Sequence, residues 1–106
     1  DGAKMNLELA SGRIIEDVTE ADIRSLLEGE EYAILSVDNM TYLQTAEEHK
    51  PPYEHPLEYQ DGSTSRHFKA KDRPMTLERV VNALVQYLQG DESWRTDFRW
   101  KRIKID

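Results

Sequence analysis

The stretch from Thr76 to Gly90, TLERVVNALVQYLQG, constrains this chain more than any other. Leu77, Val80, Val81, Leu84, Val85 and Leu88 recur at helical spacing, so a helix here carries a wide apolar stripe, with Gln86 and Gln89 on its solvent side. Thr76 is a preferred N-cap residue, and Gly90 accepts the left-handed conformation that ends helices. A stripe of that width needs an apolar surface to cover, and most of the remaining sequence predicts strands.

A first helix is predicted in VTEADIRSLLEGE. Thr19 is its cap, Glu20 and Asp22 sit in the positive first turn, and Val18 staples onto Ile23. Ile23, Leu26 and Leu27 form its stripe, and Gly29 is placed to end it. Three strand pairs read out elsewhere. MNLEL and RIIED flank the turn Ser11-Gly12. EYAILSVDNMTYLQTAE is a hairpin with Asp38-Asn39 as its two-residue turn, which sets Val37 opposite Met40, Leu35 opposite Tyr42 and Ile34 opposite Leu43. LEYQDGSTSRHFKA is another, with a loop from Asp61 to Thr64 that pairs Leu57 with Phe68 and Tyr59 with Arg66 and sets His67 opposite Glu58. Asp91 caps a short turn through Trp94, and FRWKRIKI is a last strand. Phe98 and Trp100 point to the core there, and the ring of Trp94 is the expected exception. The order ββ-α-ββ-ββ-α-β predicts an α+β fold: one mainly antiparallel twisted sheet with two amphipathic helices packed mostly on one face. One domain is expected over residues 1–106, with 1–4 a flexible start or an expression remnant.

Cysteine is absent, which excludes disulfides, thiolate metal sites and cysteine nucleophiles, and fits a reducing, cytoplasmic setting. No apolar run approaches the roughly 20 residues that span a bilayer, so no membrane is expected. The net charge of −7 disfavours nucleic acid, whose binding needs cations to displace counterions. The charge is unevenly placed: up to Ser63 there are 15 acidic against 4 basic residues, and from Thr64 onward 6 against 10. Phe68, Trp94, Phe98 and Trp100 interleave with the later cations, but their spacing reads as core packing, with the arginines on its solvent side.

Catalytic patterns are weak. His49, His55 and His67 lack the spacing of a metal site, and Ser63, Thr64 and Ser65 flank a turn without a nucleophile elbow. No cofactor, metal ligand or catalytic residue is assigned. A pocket between the sheet and the loop 47–56, built on His55, Tyr59 and His67, is the alternative, for a small-molecule binder or an enzyme.

EYQDGSTSRHFKA, then ALVQYLQGDESW, then FRWKRI resemble an uncharacterised family of small bacterial proteins over roughly Tyr32 to Ile103. The element order is also distantly similar to that of immunity proteins which neutralise bacterial toxins. The resemblance carries no catalytic residues. The acidity gives the leading expectation, a non-catalytic acidic protein-interaction domain for a basic protein partner, and the distant similarity implies an inhibitor of immunity type as its form. The acidic contact is expected among Glu28, Glu30, Glu31, Asp38, Glu47, Glu48, Glu54 and Glu58, with Tyr42 and Tyr53 as aromatic anchors. A homodimer through the terminal strand or the Leu57 strand is compatible with either reading.

Overall fold

The computed structural model describes residues 4–26, 30–48, 50–51 and 53–104. Seven strands form one antiparallel sheet: β1 (Asn6–Leu9), β2 (Ile14–Ile15), β3 (Tyr32–Asp38), β4 (Thr41–Ala46), β5 (Leu57–Asp61), β6 (His67–Ala70) and β7 (Trp100–Arg102). Their spatial order is β2-β1-β3-β4-β5-β6-β7. The helices are α1 (Glu20–Leu26), α2 (Leu77–Gln89) and a short α3 (Ser93–Asp97). The fold is α+β, with the expected element order plus α3.

Local chemistry sets the helix limits. Thr19 Oγ1 accepts from the Asp22 N–H at 3.2 Å while Asp22 Oδ2 accepts from the Thr19 N–H at 3.0 Å, a reciprocal cap. Thr76 Oγ1 takes the Arg79 N–H. Gly90, at φ 77°, closes α2 with its own N–H on Tyr87 O and the Asp91 N–H on Gln86 O. Asp91 Oδ1 accepts from both the N–H and the hydroxyl of Ser93, which holds its carboxyl below the usual range and starts α3. The expected ending of α1 at Gly29, and Leu27, lie outside the described residues.

Period-two alternation divides the sheet. Leu7, Leu9, Ala33, Leu35, Leu43, Leu57 and Tyr59 face the helices and pack against Val80, Ala83, Leu84 and Val85. Ile34, Ser36, Tyr42, Gln44, Glu58, Gln60 and His67 lie on the open face.

Both central registers differ from the sequence expectation. Asp38 Oδ1 accepts from the Met40 N–H at 2.8 Å, which moves the turn to Asn39-Met40, and a bulge at Val37 absorbs the odd residue. Leu35 therefore meets Leu43, and Ser36 meets Tyr42, so apolar pairs with apolar on the helix side. In the next hairpin a single 3₁₀ turn, Thr64–Arg66, lengthens the loop, and Arg66 reaches back to Asp61 at 2.7 Å. Tyr59 now meets Phe68, and Glu58 meets Lys69, a shift of two residues that keeps the faces. The Leu57 strand, expected as a possible edge, is interior. The edges are β2 and β7.

Trp94 is a further correction. It is only 3% exposed, because α3 runs on to Asp97 and turns the indole inward. Its ring lies edge-on to Tyr59 at 4.9 Å, Tyr87 at 5.2 Å and Trp100 at 5.9 Å. Arg95 covers the faces of Tyr59 and Trp94. These aromatics are therefore spent on the core.

Burial, with Asp61 nearby, pushes the Tyr87 hydroxyl up to about 12. Because the folded value exceeds the unfolded one of 10.0, its stabilising effect is complete below pH 10. It is lost as pH rises toward 12. Phenolate absorbance is expected to show Tyr87 ionising together with alkaline unfolding, with Tyr42 and Tyr59 also raised by burial. Independent ionisation of Tyr87 in the native fold near pH 10 would contradict its burial.

Candidate functional site

The most enzyme-like cluster is on the open face. Gln60 Nε2 donates to Met40 O at 3.1 Å, which leaves Gln60 Oε1 to accept from Tyr42 Oη at 3.2 Å and to face His67 Nδ1 at 3.1 Å. His67 Nε2 meets Glu58 Oε1 at 2.7 Å. The expected Glu58–His67 contact exists, but as a diagonal pair, since Gln60 is directly opposite His67. Burial, then the Glu58 charge, raises the Tyr42 hydroxyl above its usual value. His67 is 2% exposed and both its ring nitrogens are engaged. Among the described residues no buried side-chain nitrogen or oxygen lacks a partner. The lattice is closed on itself, as a stabilising polar network is.

Sequence reasoning grouped His55, Tyr59 and His67 in one pocket, and the fold separates them. Tyr59 faces the helices and His67 the open side, as strand alternation requires. His55 lies in the loop, its N–H on Met75 O at 2.9 Å, beside a cavity of about 590 Å³ that includes neither of the other two. Ser63 and Ser65 bond each other at 2.9 Å.

The proposed acidic contact also divides. Glu28 lies outside the described residues. Asp38 serves the hairpin turn, and Glu58 and Tyr42 belong to the polar lattice. Glu54 is buried, its carboxylate accepting from Arg73 and from the Met75 N–H at 2.7 Å. Four residues do come together at the end where β3 begins and β4 finishes: Glu30, Glu31, Glu47 and Glu48. The Glu47 N–H donates to Glu31 O at 2.7 Å, and the Glu48 N–H to Glu54 O at 3.0 Å. Among the described residues none of the four has a cation within 4 Å. Tyr53 stands in the same loop, 57% exposed and at φ 57°, an unfavourable conformation for an aromatic residue.

Because spatial order nearly follows chain order, the charge imbalance of the sequence becomes lateral. The acidic segment builds β2 to β5, and the later basic segment builds β6 and β7. A cavity of about 610 Å³ opens at this basic edge, between the sheet and the loop ending at Pro56. Sequence reasoning placed a pocket between the sheet and this loop, but built it on His55, Tyr59 and His67, none of which lines the cavity, and treated its cations as solvated. The available signal was the change of charge sign after Thr64.

Among the described residues no group of three metal-ligating side chains occurs, and no helix is long and apolar enough to cross a membrane. Comparison with family models, curated proteins and solved structures returned no match.

Proposed function

We propose that the protein is a non-catalytic interaction domain that receives a basic protein partner on the rim formed by Glu30, Glu31, Glu47 and Glu48. The observation that carries this reading is the placement of four glutamates, none with a described cation within 4 Å, where the start of β3 is tied to the end of β4, with the exposed Tyr53 in the loop that follows. Like charges held together repel and do not help folding, whereas a cationic surface would be steered onto them. The left-handed backbone at Tyr53 costs about 1–3 kcal/mol while the side chain stays 57% exposed, which suits an aromatic anchor. An inhibitor of immunity type, masking a partner's nucleic-acid-binding surface, fits this chemistry. The closed state of the His67 lattice speaks against hydrolytic use of that histidine.

The test is capture of a partner from native lysate at low salt, followed by kinetics with purified components. Association is expected to slow about 10-fold or more between 50 and 200 mM salt. Glu31→Lys with Glu47→Lys should abolish capture. Tyr53→Gly should weaken it while leaving the thermal midpoint equal or higher, since glycine suits a positive φ. A captured partner indifferent to both salt and charge reversal would sink the proposal.

A further inference from the structure

We propose that the cavity at the β6–β7 edge is a binding site for a small multivalent anion, a compact molecule carrying two or more phosphate or carboxylate groups. Its volume of about 610 Å³ is in the usual range for small-molecule sites. Six cationic side chains line it: Lys69, Lys71, Arg73, Lys101, Arg102 and Lys104. Of its three carboxylates, two are committed to the fold, and the third, Glu48, stands at the border with the acidic rim. Asp72 accepts from the Arg99 N–H at 2.6 Å, and Glu54 holds Arg73 and the Met75 N–H. Among the described residues, the five cations other than Arg73 have no carboxylate within 4 Å.

The register adds a second observation. Lys69 and Lys101 are directly opposite each other across β6 and β7. Like charges at facing positions, with Cβ atoms about 5 Å apart, destabilise a strand pair. Glu58 faces Lys69 from the β5 side, but its carboxylate is bonded to His67 and is not within 4 Å of the ammonium, so the lysine pair keeps its repulsion. An anion lodged between them relieves the repulsion and makes charge-assisted hydrogen bonds with both ammonium groups.

The lining also selects the ligand's size. Its apolar part is Pro56, Ala70, Met75 and Ile103, with no aromatic ring among the described lining residues. Phe68, Phe98 and Trp100, the rings nearest in sequence to these cations, are packed with the core instead. Bases would have nothing to stack on, and the remaining acidic surface repels a long polyanion. A small anion meets neither obstacle. The cavity borders the acidic rim at Glu48, but the inference rests on the six cations and does not depend on the acidic-rim reading.

Calorimetric titration at 50 mM salt with tripolyphosphate and, separately, with citrate tests it. Saturable one-site binding of at least one of them is expected, and the tighter of the two identifies the anionic group. Lys69→Gln with Lys101→Gln should weaken it at least 10-fold and raise the unliganded thermal midpoint. Lys71→Gln with Lys104→Gln should also weaken it, so the result does not depend on one variant's folding. Arg13→Gln, at the far edge, should leave it unchanged. Absence of saturable binding of either anion overturns the proposal. So does an equal loss in all variants, or tighter binding of a single-stranded oligonucleotide than of tripolyphosphate.

Discussion

Trp94→Ala is expected to lower folding stability by about 3–5 kcal/mol, the range for deleting a large buried aromatic side chain. The ring is 3% exposed and meets Tyr59, Tyr87 and Trp100 edge-on, so its loss empties the centre of the aromatic cluster. Small domains hold about 5–15 kcal/mol in total, which makes this one change a large share. Trp94→Phe keeps part of the packing and should cost clearly less. Denaturant unfolding, with an unchanged slope, gives the comparison. A loss below about 1 kcal/mol for the alanine variant would mean that the indole is exposed after all.

Glu54→Ala is expected to cost about 2–3 kcal/mol, through the buried N–H of Met75 that it leaves without an acceptor. Arg73 contributes less to the loss, because its exposed guanidinium returns to water. The carboxylate ties the loop before β5 to the approach to α2, where Thr76 waits as cap. The variant should therefore also show faster amide exchange at Met75 and around Tyr53. Arg73→Ala serves as the contrast and should cost under about 1 kcal/mol. Equal losses in the two variants would show that the surface ion pair, not the buried N–H, is what matters.

Features set by side chains close in sequence were legible before any coordinates. Thr19, Thr76, Gly90 and Asp91 act within a few residues of themselves, and each does what its chemistry dictates. The α+β order follows from the same local signals. Register was less legible, because turns of similar local energy compete and distant packing decides between them. Asp38 could occupy the turn or bond across it, and the match of Leu35 with Leu43 selects the second. Trp94 was misplaced because its direction depends on how far α3 extends. Of the acidic residues, Glu54 looks like its exposed neighbours in sequence, and only the position of Met75 reveals its task. The place of the cavity, between the sheet and the loop 47–56, was legible, but its lining was not: its walls come from segments near Glu54, Lys69 and Lys101 that only the sheet brings together.

The nearly sequential strand order also says when that cavity can exist. Closing a short loop costs little entropy, so β3, β4, β5 and β6 can assemble by successive hairpin zipping. Pairing β7 with β6 spans the whole of α2 and α3 and is the costlier closure. Lys101 and Arg102 reach the site only through that step, so the cationic edge is expected to complete after the acidic hairpin has formed. The acidic hairpin and the cationic edge are thus expected to differ in the order of their construction as well as in sign.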